Sequence, residues 1–361
     1  MKTKIATLLD NLFMSQSELL SNFTLCIVCN KKETQHSSLL ESEYFSDIEF
    51  EEIVHLFTSL GMATEFFLNE DEFIKFVLNN SNKQLVTYNA AQSGRGAGRK
   101  SLVPAFCNMH NIPYTGSNAY VVSLCRHKYH TNKLLSSVGF PVPQSWLYNG
   151  GFTGKITPCE GQKIILKPIY ESASVGINND SILTFNNNKE LIKIIQNKQD
   201  LHKQPILLQT FLSGFEIEVP ILSFNLEVNS LLPVGISLDG IQLLGENILD
   251  YERVYFDKYE FYDFSQNTLG NTLIDVAQNV ARFLGIEGLG RVDFRTDKTG
   301  QFYITDVSTN PHFVTHSSVS YAFKNLGFSS IDIARTIVCS ALSKNSNQNS
   351  DQNCKSEHRK P

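Results

Sequence analysis

Apolar residues recur along this chain in two periods, every second position and every third or fourth, and the switches between them mark out its elements. Residues 1–20 carry apolar positions at helical spacing and predict a short amphipathic helix before a first strand, Phe23 to Cys29. Ser46 followed by Glu49 reads as a capping box, with a helix running from there to Leu60 and ending at Gly61. Strands over Ala63–Phe67 and Gln84–Thr87 flank a helix from Glu70 to Leu78, and this β-α-β-α-β order predicts a small parallel sheet. Its third strand runs into a Gly-rich loop, Tyr88 to Arg99, at the carboxyl end where open α/β sheets place ligands. That loop matches neither GxxxxGK[ST] nor GxGxxG, so it reads as a mobile loop near a site.

Further on, one helical stretch is expected from Ser117 through Leu135, stopped by Gly139 and Pro141. Lys163 to Lys167 reads as a buried strand ending in lysine, followed by a small-residue loop and a second strand. Leu207 to Val219 reads as strand, linker and strand, and the acidic-aromatic run Glu246 to Phe264 as a lid or substrate loop. An amphipathic helix, Thr272 to Leu284, leads into two β-rich runs joined by Asp297-Lys298-Thr299-Gly300, an antiparallel hairpin. After a helix over Ile331–Leu342, residues 343–361 are Asn/Ser/Gln/Lys-rich and predict a disordered tail with an idle Cys354.

Composition narrows the class without naming a partner. A 361-residue chain that is 42% hydrophobic and 19% charged suits two or three α/β modules. A net charge of −5 and no Lys/Arg stripe interleaved with aromatics speak against nucleic acid. Seven cysteines, an odd number and widely spread, read as free thiols in a reducing compartment. Cys26 and Cys29 form the lone CxxC but sit in a buried-strand pattern with no second ligand pair, so they read as core residues rather than a metal or redox site. No apolar run is long enough to span a membrane and the N-terminus makes a poor signal peptide, so the expectation is a cytoplasmic protein.

The hairpin holds the candidate chemistry. Strand alternation puts Arg291 and Asp293 on one face, and Asp306 and Ser308 on one face of its partner; an even-numbered turn makes those faces coincide. A guanidinium, two carboxylates and a hydroxyl together suit Mg²⁺, which also expects phosphates and water. The plainer alternative is a solvated sheet face with alternating charges. The polar segment Thr309 to Ser318, directly after the carboxylate strand, weighs toward a site.

GLGRVDF, QFYITDVSTNP and THSS, preceded by IPYTGS, HK, GFPVP and the Lys167 loop, resemble the D-alanine–D-alanine ligases of the ATP-grasp superfamily over roughly residues 84–340. The resemblance implies an ATP-grasp fold: an N-terminal parallel α/β domain (1–115), a central lid subdomain with linker (116–212), a C-terminal mixed-sheet subdomain (213–342) and the tail (343–361). It implies ATP between the last two subdomains, with Lys128 and Lys167 on phosphate, Ser174 in the flap, main-chain groups near Gln209 and Leu212 on adenine, and Glu216 on ribose. Asp293, Asp306 and Ser308 become the ligands of one or two Mg²⁺ ions, with Mn²⁺ as an alternative. Arg291, Tyr255 and Ser317 become the catalytic positions.

Several positions depart from that pattern. Asp306 replaces a glutamate, Ser308 an asparagine, Ala173 a serine, Val254 a lysine and His312 a glycine, and the family's acidic pair in the Gly-rich loop gives way to basic Arg95 and Arg99. The family's Gly-paired loop with Ser-x-Glu is absent after the first strand, where Asn30 to Thr34 stand instead. The implied activity is an ATP-dependent carboxylate–amine ligase working through an acyl phosphate on small amino-acid-like substrates, and not a housekeeping D-alanine ligase. The alternatives are an ATP-binding paralogue with a regulatory role, which Ser308 favours, and a non-enzymatic scaffold. Substrate identity and oligomeric state, a homodimer included, stay open.

Overall fold

The computed structural model describes residues 2–32, 39–154, 157–186, 189–225 and 227–357. After helix α1 (Lys2–Leu20) come β1 (Thr24–Cys29), α2 (Asp47–Thr58), β2 (Ala63–Phe67), α3 (Glu70–Asn79) and β3 (Leu85–Ala90). These strands form a parallel sheet in the order β2-β1-β3. The expected capping box opens α2: Ser46 Oγ accepts from the Glu49 N–H, and Glu49 accepts in turn from the Ser46 N–H at 2.7 Å. Every residue of β3 is buried, and Cys26 and Cys29 are buried free thiols whose pKa burial pushes up to about 12.

Helices α4 (Leu102–Met109), α5 (Ala119–Arg126) and α6 (Lys128–Ser137) lead to the central sheet. The single helix expected from Ser117 to Leu135 is two. His127 breaks it with ψ 82, and its imidazole then caps α6 by accepting from the His130 N–H at 3.3 Å. The central sheet contains β4 (Ser145–Tyr148), β5 (Lys163–Pro168), β6 (Ile182–Thr184) and, after α7 (Lys189–His202), β7 (Ile206–Thr210), in the antiparallel order β4-β7-β5-β6.

The third sheet takes β8 (Glu216–Phe224), β9 (Glu227–Ser230), β10 (Val234–Ser237), β11 (Glu260–Asp263), β12 (Gly288–Thr296) and β13 (Phe302–Ser308), with α8 (Tyr251–Tyr255) and α9 (Gly270–Leu284) between them. Its order is β11-β10-β8-β12-β13, with β9 pairing β8. The α/β class read from the sequence holds, but this sheet, expected as mixed, is antiparallel at each of its pairings. The 246–264 loop is shorter than expected, because α8 and edge strand β11 occupy much of it. Helix α9 ends where expected, at Gly285 in a left-handed conformation (φ 73).

Helices α10 (Ser318–Leu326) and α11 (Ser330–Glu357) close the chain. The disordered tail expected from residue 343 is instead a continuation of α11 as far as Glu357; Ser343 is buried, and Lys344 reaches Glu287 at 2.9 Å and the Gly116 carbonyl. One core merges the chain's two ends, with Ile5, Leu9 and Leu12 of α1 joining Ile27, Phe57, Phe323, Ile337 and Val338. A second core lies under β8 and β12 against α9, and a third within the central sheet. No single described helix is long and apolar enough to cross a membrane; the bent pair α10 and α11 passes on length and composition but sends Val319, Phe323 and Val338 into the first core.

Candidate active site

The three sheets leave between them a cavity of about 620 Å³, and the β12–β13 hairpin forms part of its wall. Asp293 lies directly across from Asp306, and Arg291 across from Ser308. The turn that was expected to be even is odd, residues 297–301, and alone would have set Asp306 on the opposite face. A register shift after Asp293 restores the match: Phe294 pairs with Ile304, so Thr305 is the extra residue of a bulge.

Arg291 is held from two sides. Its Nε and Nη2 donate to the two oxygens of Asp293 at 2.7 and 2.8 Å, and Nη1 lies 2.9 Å from Glu218 Oε2. Burial pushes Glu218 up to about 7, with the Asp293 charge adding to the shift and Arg291 opposing it. Burial also raises Asp293 despite the guanidinium beside it. Asp306 behaves oppositely: against burial, the Lys128 ammonium bonded to it holds its carboxyl below the usual range. Lys167 lies at the end of β5, its ammonium 2.9 Å from Gln209 Oε1; burial first and Lys128 second bring it down to about 8.

Ser174 and Ala173 both sit at positive φ (54 and 50), a tight loop after β5, and Ser174 Oγ donates to the Leu249 carbonyl at 2.7 Å. Glu216 meets Arg295 at 3.5 Å, and Arg295 stacks over Phe211 at 5.1 Å. Lys128, Lys167, Ser174 and Glu216 thus share the cavity wall with the hairpin residues, as do Tyr255 and Ser317. Tyr255 ends α8, exposed, with the Lys32 ammonium 5.1 Å from its ring. Ser317 is buried as the N-cap of α10, accepting from the Ser320 N–H at 3.1 Å.

Gln209 and Leu212 do not line the cavity. β7 is an interior strand between β4 and β5, so Gln209 is covered and meets the cavity through Lys167, while Leu212 is buried. Glu218 was not anticipated, although strand alternation from Glu216 would have placed it on the same face. A second unanticipated group is ionic. Arg126 Nη2 donates to both oxygens of Glu43 at 2.8 and 2.9 Å, with Lys100 at 3.7 Å, and these residues come from separate segments with no shared motif.

Mg²⁺ commonly uses one or two protein carboxylates and takes its other oxygens from phosphates and water. Facing Asp293 and Asp306, with Ser308 beside them, fit that requirement. Among the described residues no cluster of three or more His, Cys, Asp or Glu forms an all-protein metal cage.

Residues 151–339 match the family model described as the D-ala D-ala ligase C-terminus. The D-alanine--D-alanine ligase of Bordetella pertussis is 28% identical over 238 residues, which cover 64% of this chain and 71% of that protein. Among solved structures, D-alanine--D-alanine ligase from Bacillus anthracis complexed with ATP superposes with a TM-score of 0.67 at 15% identity, covering 90% of this chain and 99% of that one. VanG D-Ala:D-Ser ligase from Enterococcus faecalis gives 0.61 at 15%, covering 89% and 99%.

Proposed function

The chain belongs to the D-alanine–D-alanine ligase family, its model matching residues 151–339, and from that membership we propose an ATP-dependent carboxylate–amine ligase acting on small amino-acid-like substrates. The observation that carries the reading is the meeting of Lys128, Lys167, Arg291 and two facing carboxylates in one cavity. A carboxylate is a poor electrophile, so joining it to an amine requires activation. Transfer of the ATP γ-phosphoryl group to the carboxylate oxygen gives an acyl phosphate and ADP; attack by the amine then expels phosphate and forms the amide. Such chemistry is mostly positioning and charge neutralisation, and it needs no nucleophilic side chain.

In this scheme Lys128 and Lys167 hold phosphate oxygens as point charges, and the Ser174 loop closes over them. Asp293, Asp306 and Ser308 are the residues that would hold Mg²⁺, which when bound neutralises phosphate charge. Arg291, kept in place by Asp293 and Glu218, stabilises charge on the acyl phosphate and on the tetrahedral intermediate. Glu216 faces the ribose. Leu212 and Gln209 belong to the segment proposed to meet adenine through main-chain atoms; neither side chain lines the cavity. Tyr255 and Ser317 are proposed to contact substrate.

The substrates are proposed to differ from those of a housekeeping D-alanine ligase, given Ala173 and His312 in the cavity wall. VanG, a structural neighbour, is named for a D-Ala:D-Ser activity, so substrate range within this fold is not single. The test is a pairwise screen of amino acids and small carboxylic acids for ADP. Equal amounts of ADP and phosphate with an amide product are expected, and Arg291→Ala should lower turnover on the order of 10²- to 10³-fold with ATP affinity retained. AMP and pyrophosphate as products would contradict the scheme.

A further inference from the structure

The ionic group around Glu43 leaves one of its cations poorly matched. Arg99, Lys100 and Arg126 lie against Glu43 and Glu171. Both Glu43 oxygens are taken: Arg126 donates to each, and the Ser172 main-chain N–H donates to Oε1 at 2.6 Å. Arg126 Nη1 donates to Ser172 Oγ at 3.0 Å, while Arg99 lies 3.4 Å from one oxygen of Glu171 and Gln204 donates to the other at 2.7 Å. Among the described residues these contacts leave Lys100 without a close acceptor; the Glu43 carboxylate lies 3.7 Å away, outside hydrogen-bonding range.

Lys100 lines the cavity that also holds Lys128 and Lys167. Arg126 is 9% exposed, and its Nε has no hydrogen-bond partner among the described residues. A group that only fastened the Ser172 loop to the rest of the molecule would pair its charges. Here an ammonium is left short of an acceptor at the cavity wall, beside the Arg126 guanidinium, and burial together with Arg126 brings its pKa down to about 8. An anion entering the cavity supplies what is missing, because a carboxylate offers two acceptor oxygens and one negative charge.

We propose that Lys100 is a specificity-determining residue that receives a second carboxylate of the substrate, making acidic amino acids or similar dicarboxylates the preferred substrate class. The proposal rests on the ligase reading for the phrase "second carboxylate", but its test does not need turnover. L- and D-aspartate, L- and D-glutamate, and L- and D-alanine are titrated calorimetrically into the full-length protein with Mg-ADP present. At least one acidic amino acid is expected to bind tenfold or more tightly than alanine of the same hand. Lys100→Met, which keeps the volume, should abolish that difference, and Lys100→Arg should keep most of it.

An acidic ligand no tighter than alanine overturns the proposal, as does a preference that survives in Lys100→Met. If Lys100→Met does not fold, the wild-type ratio decides. ADP release is then followed with the same panel. Tight acidic binding without ADP release counts against the ligase reading alone, and ADP release confined to neutral amino acids counts against Lys100 alone.

Discussion

Lys167 shows what a single residue's surroundings do to its chemistry. Its ammonium is covered by the central sheet and faces the charge of Lys128, and the two together bring it down to about 8. A base with a depressed pKa is charged below that value and neutral above it, and phosphate binds the charged form. ATP affinity should therefore hold level to about pH 7.5 and fall about tenfold by pH 9, whereas Lys167→Arg, which stays charged, should show no such fall. Calorimetric titration of ATP across that pH range checks both. That Lys167 ends a buried strand was legible in the sequence. Its lowered pKa was not, because that depends first on burial of the ammonium and then on Lys128, both supplied by packing from other elements. Asp293 and Asp306 divide in the same way: alternation alone put Arg291 beside Asp293 on one strand face, but only packing set Lys128 against Asp306.

At the scale of elements, local signals did well where a cap or a left-handed residue was needed and poorly where pairing was non-local. The Ser46–Glu49 capping box is present as read, and the helix expected to end at Leu284 does so, with left-handed Gly285 directly after it. The break at His127 was missed because nothing in the local pattern interrupts the helical spacing. The hairpin bulge was missed because it is the pairing of β12 with both β8 and β13 that decides where a residue is extra. Gly214, just before β8, is another element-level constraint: a Cβ there would lie 1.9 Å from Thr296 Oγ1 and 2.5 Å from the Thr296 carbonyl oxygen. The same Oγ1 accepts from the Phe215 N–H at 2.9 Å. Gly214→Ala should cost about 1–3 kcal/mol in urea unfolding by overpacking this junction. Ser46→Ala, losing a cap, should cost about 1 kcal/mol. A Gly214→Ala protein less perturbed than Ser46→Ala would show that the approach to Thr296 is not as close as described.

At the scale of the molecule, the cavity exists because elements distant in sequence converge: α6 brings Lys128, β5 Lys167, β8 Glu216 and Glu218, and the hairpin its carboxylates. A ligand that bridges these elements binds the folded protein and not the unfolded chain. ATP at a hundred times its Kd should stabilise the protein by about 2.7 kcal/mol, read as a higher urea midpoint, and the gain should shrink in Lys128→Ala/Lys167→Ala at the same ATP concentration. Hydrophobic period, cap residues and turn signals sufficed for the α/β class, most element positions, and the Arg291–Asp293 and Asp306–Ser308 pairs, since these follow from geometry within a few residues. Register, the split of α5 from α6, the placement of Glu218, and the gathering of Glu43, Lys100 and Arg126 were decided by tertiary structure alone. Each depends on which distant segment fills the neighbouring space, and no period along a single chain carries that information.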